Sequence, residues 1–316
     1  MIYLFVMIVR RFLATAIGFA ALLLVAACGG RPSAPAVVTD PDGFPMIVPP
    51  ESVQGEEFRT EFLAVHFWDA FFEREVSLPE PNLEEKFSLW TMLLASSSEK
   101  TVSAAADRWL KKMPESSISK MAALAEKYLY NHSSPLRNGE VFAVVGQKLS
   151  LLPSLDSLQR VIYANEARLC SLNKVGTKAG DFSFVTMAGA ENNLYSIKAP
   201  LILLVFSNPG CHMCEEIQQA IAVSPNLTNM QKDGSLVIVN IYPDEDEVAW
   251  RKVAKGYPKE WVSGIDREQA IRNKQIYDLW AIPSLYLLSS NKTVILKDAP
   301  LQEVLSKIEF IHPSQN

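Results

Sequence analysis

The sequence predicts two domains of different class, an all-α domain followed by an α/β domain with a central sheet flanked by helices. A chain of 316 residues suits roughly two domains of ordinary size. Apolar residues recur at helical spacing as far as Cys170, and after Asn173 short apolar runs alternate with helical patterns. With 48% hydrophobic and 21% charged residues, the chain can bury a core in each domain.

The charge balance excludes one class of partner. The chain has 30 basic and 35 acidic residues, a net charge of −5, and its sequence contains no basic block. Because nucleic-acid binding depends on clustered lysine and arginine, we expect no nucleic-acid partner. The cysteines are too few for a disulfide-stapled fold. They are Cys28, Cys170, Cys211 and Cys214.

The amino terminus has the pattern of a secretory signal. Two arginines precede an apolar run over residues 12–27, which is shorter than the ~20 residues of a membrane-spanning helix. The run ends in Val25-Ala26-Ala27-Cys28, which resembles the lipobox of bacterial lipoproteins, in which the cysteine carries the lipid. We therefore predict a signal peptide over residues 1–27 and lipidation of Cys28, with an uncleaved membrane anchor as the alternative.

The segment after the signal is expected to be a tether. Gly29 and Gly30 follow Cys28, and no aspartate marks retention at an inner membrane, so we expect anchoring in the outer membrane. Six prolines and no helical period predict an extended, Pro-rich connection over residues 28–55. In the cell envelope, disulfides form and persist.

Residues 56–172 are predicted to form five or six helices. Their apolar stripes are separated by Pro114, Pro135 and Pro153. We interpret the aromatic stripe as core, although it could line a binding groove. His66 and His132 have no partner at metal-ligand spacing and are interpreted as packing or surface residues.

Residues 173–316 alternate strand and helix patterns. The predicted strands are 182–187, 201–207, 235–242, 284–289 and 293–297, and the predicted helices begin at Cys211, Asp244, Arg267 and Pro300.

The chemistry is predicted at Cys211-His212-Met213-Cys214. This C-x-x-C directly follows a buried strand and begins an amphipathic helix. Free N–H groups and the helix dipole at a helix N-terminus favour a thiolate, and the spacing brings the second sulfur onto the same turn. Protonated His212 would stabilise the thiolate further. These groups suit thiol–disulfide exchange, in which one thiolate attacks and the other resolves the mixed disulfide.

The motif also has interpretations other than thiol–disulfide exchange. Covalent haem attachment needs a histidine after the second cysteine, where this chain has Glu215. A structural zinc site needs four ligands and usually two such pairs, so we expect no metal. The alternative that Cys211 and Cys214 form a purely structural disulfide is also compatible with the motif. Cys170 has no motif partner and is interpreted as a core thiol rather than a third redox group.

With these motifs, residues 175–310 resemble the thioredoxin fold, in particular envelope-anchored relatives of the thiol reductases of cytochrome c maturation. The matching pieces are Val175-Gly176, Ala179–Phe182, Leu203–Phe206, Asn208–Cys214 and Tyr277–Leu288. The resemblance implies that the Ile282-Pro283 bond is cis, faces the cysteine pair and binds the extended substrate. We also expect His212 to bind the substrate. Thioredoxin has a buried aspartate and a tryptophan where this chain has Val205 and Gly210. Those departures leave the proton acceptor for Cys214 unassigned.

The preceding half resembles a helical domain of unknown function found before thioredoxin-like domains in envelope lipoproteins of Gram-negative anaerobes. The motifs that carry this resemblance are His66–Asp69, Lys127–Tyr130 and Ser134–Asn138. The resemblance implies no activity for this half of the chain.

Together these observations predict a membrane-tethered thiol–disulfide oxidoreductase acting on envelope proteins with thiols or disulfides. Cys211 would attack and Cys214 would resolve. The redox-active disulfide replaces any dissociable cofactor, but a redox partner must recycle it. The alternative is a lipoprotein interaction module whose helical domain binds a partner, with Cys211–Cys214 as a structural disulfide.

Overall fold

The structure, a computed structural model, describes residues 36–279 and 281–312. The predicted signal peptide and Cys28 lie outside the described residues. From Val37 onwards the described chain forms one compact unit. In the part of the chain that is described, no helix has both the length and the hydrophobicity needed to cross a membrane.

The first folded element lies inside the segment predicted to be a tether. Strands β1 (Val37–Thr39) and β2 (Pro45–Ile47) pair antiparallel as a hairpin. Phe44 is 0% exposed and packs on Phe67 and Phe71, while buried Lys86 binds the carboxylates of hairpin residues Asp40 and Asp42 at 3.0 and 2.6 Å. The structure thus corrects the tether prediction, because residues 37–47 belong to the helical domain.

Seven α-helices follow among the described residues before the sheet begins. They are α1 (Glu56–His66), α2 (Asp69–Glu73), α3 (Glu80–Ala95), α4 (Glu99–Lys112), α5 (Ile118–Ala125), α6 (Gly139–Leu149) and α7 (Ser157–Cys170). A π-helical turn, Glu126–Tyr130, extends α5. The count exceeds the prediction because the first aromatic stripe is divided between α1 and α2.

The aromatic stripe forms the core of the helical domain, not a groove. Trp90 and Trp109 are buried with their ring centroids 5.0 Å apart, and the indole N–H of Trp90 donates to the Ala64 carbonyl at 2.9 Å. The exception is Phe58, which is exposed at the start of α1.

The second half contains one mixed sheet with helices on both faces, confirming the predicted class. Its strands are β3 (Ser183–Thr186), β4 (Glu191–Asn193), β5 (Leu201–Phe206), β6 (Leu236–Tyr242), β7 (Val262–Ile265), β8 (Ser284–Ser289) and β9 (Val294–Leu296). The strand order is β4-β3-β7-β6-β5-β8-β9. Central strand β5 runs parallel to β6 and antiparallel to β8, and every residue of β5 is buried, as expected for a strand covered on both faces.

The helices of this half are α8 (His212–Ala222), α9 (Pro225–Lys232), α10 (Glu247–Ala254), α11 (Ala270–Asn273) and α12 (Leu301–Ile311). Helix α9 and strands β4 and β7 were not predicted. The other helices begin within three residues of their predicted starts.

The two halves meet through partly buried polar contacts. The ammonium group of Lys297 donates to the carbonyls of Cys170 and Leu172 at 2.6 and 2.5 Å. Asn173, at the junction, donates to the Ile276 carbonyl at 2.8 Å and accepts from the Gly180 N–H at 2.7 Å. These bonds satisfy the end of α7 and tie the helical domain to the α/β domain.

Glu166 on α7 gives this boundary a pH dependence. Burial, followed by the negative charges of Glu126 and Asp278, raises the pKa of Glu166 to about 7. Because the folded state favours the protonated acid, its stabilising effect is full below the unfolded pKa near 4.5 and is lost as pH rises through 7. We expect the unfolding free energy of the wild type to decrease between pH 5 and pH 8. In Glu166→Gln this decrease should be smaller by about 1–3 kcal/mol.

Urea denaturation at both pH values measures this difference. Glu309→Gln, at an exposed position on α12, is the matched control and should follow the wild-type pH dependence. Equal pH dependence for wild type and Glu166→Gln would contradict the prediction.

Candidate active site

The loop after β5 positions the cysteine motif. Pro209 and Gly210 turn the chain from the strand into α8, and Gly210 has φ +71°, a left-handed conformation that glycine adopts without strain. Cys211 is the N-cap of α8, and its Sγ accepts from the backbone N–H of Cys214 at 3.2 Å. The helix N-terminus therefore already directs a donor at the Cys211 sulfur, which favours its thiolate form.

Cys211 and Cys214 form a disulfide across one turn, with their Cα atoms 5.2 Å apart. The two sulfurs differ in access, because Cys214 is 1% exposed whereas Cys211 is partly exposed. An incoming thiol or disulfide can reach Cys211 first. The predicted roles, with Cys211 attacking and Cys214 resolving, require such a difference in access.

The structure brings Ile282 and Pro283 to the cysteine pair. Their peptide bond is cis, and the carbonyl oxygen of Ile282 lies 4.0 Å from Cys211 Sγ. The register between β5 and β8, in which Phe206 pairs with Ser284, places the two loops side by side. Four of the predicted site residues, Cys211, Cys214, Ile282 and Pro283, thus lie together. Their roles in exchange stay predictions.

His212 lies on the surface of this site rather than within it. Its side chain is 83% exposed, and its Nε2 is 3.1 Å from a carboxylate oxygen of Glu216, one turn along α8. Glu216 therefore competes with a Cys211 thiolate for the positive charge of a protonated His212. The side chain of Met213 is also exposed and adds apolar surface beside Cys211.

A buried polar network lies beneath the motif and was not predicted. Gln218, one turn after Cys214, donates to the Ser207 hydroxyl at 2.9 Å and to the Tyr257 hydroxyl at 3.2 Å. The Ser207 hydroxyl in turn donates to the Asn240 side-chain oxygen at 2.8 Å. Asn240 pairs in register with Val205, the position of the aspartate in thioredoxin. The chain thus places neutral polar groups close to a position where thioredoxin has a buried acid.

Two sequence signals could have revealed this network. Asn240 interrupts the apolar strand Leu236–Tyr242, and a buried polar side chain requires partners. Gln218 is four residues after Cys214 and therefore shares its helix face. Gln218 and Tyr257 also line a cavity of about 280 Å³ beside the motif, together with Asn208, Pro209, Gly210 and Glu215.

A mixed sheet flanked by helices, a C-x-x-C disulfide at the start of the helix after its central strand, and a facing cis-proline define a thioredoxin-like protein. The chain is 34% identical to a thioredoxin-like protein from Bacteroides caccae whose crystal structure covers 84% of this chain and 98% of its own length, with a TM-score of 0.78. At that identity and coverage, the chain belongs to the thioredoxin-like protein family.

Other comparisons cover parts of the chain. A family model described as a domain of unknown function, DUF5106, matches residues 29–173. The C-terminal domain of an uncharacterized protein from Bacteroides fragilis is 44% identical, covering 43% of this chain and 96% of its own, with a TM-score of 0.42. The thioredoxin domain of a thiol-disulfide oxidoreductase from Bacteroides vulgatus is 17% identical, covering 44% and 97%, with a TM-score of 0.39. A search of curated proteins found no match.

Proposed function

We propose that the protein is a thiol–disulfide oxidoreductase that exchanges disulfides with proteins of the cell envelope. The observation that carries the proposal is the Cys211–Cys214 disulfide at the start of α8, with one accessible and one buried sulfur, facing the cis Ile282-Pro283 bond. A structural disulfide needs neither an accessible sulfur at a helix N-terminus nor a cis-proline beside it.

The exchange balances without a dissociable cofactor. In the reducing direction, the Cys211 thiolate attacks a substrate disulfide, forming a mixed disulfide and releasing one substrate thiolate, which takes up a proton. Cys214 loses its proton and attacks Cys211 Sγ, which releases the second substrate thiolate and restores the disulfide. Two electrons pass from the cysteine pair to the substrate. The oxidising direction is the reverse, and a dithiol or disulfide partner resets the pair.

We also propose that a lipid on Cys28 holds the protein to the outer membrane and restricts exchange to envelope substrates. The lipobox-like sequence ending at Cys28 supports this. Metabolic labelling with palmitate tests the anchor, and Cys28→Ser is expected to remove both the label and the protein from the membrane fraction. A labelled Cys28→Ser protein would refute it.

The reduction potential of the cysteine pair tests the proposed function. We expect the chain from residue 29 onwards to equilibrate with glutathione or dithiothreitol at a potential between about −270 and −120 mV, the range of catalytic pairs. Once reduced, one thiol should alkylate rapidly at neutral pH. A potential well below about −300 mV with two unreactive thiols would identify a structural disulfide and favour the interaction-module alternative.

A further inference from the structure

A loop of the helical domain reaches towards the cis-proline. Arg137 lies between the π-helical turn and α6, and its guanidinium group forms an ion pair with Asp298 of the α/β domain. The same guanidinium lies 4.0 Å from the carboxylate of Asp278, and its Nε donates to the Tyr130 carbonyl at 3.3 Å. The planar, forked arginine side chain thereby connects the helical domain to two carboxylates of the other domain.

The carboxylate of Asp298 connects Arg137 to the active-site loop. One of its carboxylate oxygens pairs with Arg137, and the other accepts from the hydroxyl of buried Ser284 at 2.7 Å. Asp298 has φ +47°, a left-handed conformation that costs free energy in residues other than glycine. The surrounding contacts must therefore stabilise this backbone conformation. In it, the carboxylate of Asp298 contacts both Arg137 and Ser284.

Ser284 directly follows Pro283, so the contacts form a continuous connection to the reacting sulfur. It runs from Arg137 through Asp298 and Ser284 to the cis peptide bond, where the carbonyl oxygen of Ile282 lies 4.0 Å from Cys211 Sγ. Nearby Lys297 does not replace Arg137, because its ammonium group is engaged by the carbonyls of Cys170 and Leu172.

We propose that Arg137 is a positioning residue through which the helical domain fixes the Ile282-Pro283-Ser284 loop for extended polypeptide substrates. This inference rests on the proposed function. An extended chain can pair its backbone with a fixed loop beside the cysteines, as in strand addition to a sheet edge. A small disulfide without a peptide backbone cannot form those bonds, so its reaction with Cys211 depends on the thiolate alone.

The test compares two disulfides with the fully reduced protein. One is a linear peptide containing a mixed disulfide to glutathione, and the other is the aryl disulfide dithiobis(nitrobenzoate). We expect Arg137→Met to slow the peptide reaction about tenfold, the effect of losing one charge-assisted hydrogen bond, and to leave the aryl reaction unchanged. Arg137→Lys should recover part of the rate, because lysine keeps the charge but not the fork.

Arg168→Met is the matched control. Arg168 on α7 also crosses between the domains, where it donates to the side chain of Gln275, but no contact connects it to Ser284 in the part of the chain described. We expect both of its rates to equal those of wild type.

Ser284→Ala tests the same connection from the other side and guards against misfolding of Arg137→Met. It should also slow only the peptide reaction, and the double variant should be no slower than the more affected single variant, since both changes break one connection. Equal slowing of both disulfides, no slowing of the peptide, or multiplicative effects in the double variant would overturn the positioning role alone. A wild-type protein that reduces neither disulfide would overturn the proposed function with it.

Discussion

Cys211→Ala is expected to lower the rate of disulfide exchange by about three orders of magnitude or more. The reason is access, since the remaining sulfur of Cys214 is buried beneath the helix start and cannot meet a substrate disulfide without local unfolding. The rate of peptide-disulfide reduction by the prereduced protein measures the effect.

Cys214→Ala is expected to trap the substrate as a mixed disulfide, whereas Cys211→Ala should form none. The Cys211 thiolate still attacks, but no second thiol resolves the mixed disulfide, so the substrate stays covalently attached. Non-reducing electrophoresis of envelope fractions should show adducts that disappear on reduction and are absent from the Cys211→Ala strain.

Cys170→Ala is the control for both variants. Cys170 is a buried free thiol at the end of α7, and burial, followed by the charge of Asp278, raises its pKa to about 12. A thiol of that pKa has almost no thiolate at neutral pH, so we expect exchange at the wild-type rate. Loss of exchange in Cys170→Ala, or full activity in Cys211→Ala, would contradict the assignment of the attacking thiol.

Local sequence patterns account for the parts of the fold that could be predicted. The run from Leu201 to Phe206 is apolar throughout and is followed directly by the C-x-x-C, so strand, turn and helix start follow from adjacent residues. Strands β4 and β7 contain only three and four residues, with the sequences ENN and VSGI, and carry little hydrophobic pattern. Pairing with a neighbouring strand determines them, and periodicity cannot show that.

The missed parts of the site depend on contacts between distant residues. Gln218 meets Tyr257 across 39 positions, and Arg137 meets Asp298 across 161. The cis-proline and the cysteine pair are also far apart in sequence, yet the resemblance to the thioredoxin fold predicts that they lie together. No such precedent existed for the polar network or for the loop of Arg137.

The hairpin was missed for a different reason. Its two strands have three residues each, and prolines and aspartates surround its apolar residues, a composition typical of linkers. It belongs to the domain because the Phe44 ring is buried and because Asp40 and Asp42 pair with buried Lys86, and local sequence reveals neither contact.

Phe44→Ala is therefore expected to destabilise the helical domain by about 3–5 kcal/mol, the usual cost of removing a fully buried phenylalanine ring. The Phe44 ring lies 5.1 Å from that of Phe67, 5.6 Å from that of Trp68 and 5.4 Å from that of Phe71, so its loss leaves a cavity lined by three aromatic side chains. Urea denaturation followed by tryptophan fluorescence measures the change in unfolding free energy.

Phe58→Ala provides the matched control, because it removes the same ring from a position that is 62% exposed. We expect it to change the unfolding free energy by less than about 0.5 kcal/mol. If Phe44→Ala changed the unfolding free energy as little as Phe58→Ala is expected to, the hairpin would not pack on the domain in solution. The tether interpretation of residues 37–47 would then be restored. A large difference has a practical consequence. A fragment beginning at residue 56 lacks Phe44 and the carboxylates of Asp40 and Asp42, which pair with buried Lys86, so it should be less stable than one beginning at residue 29.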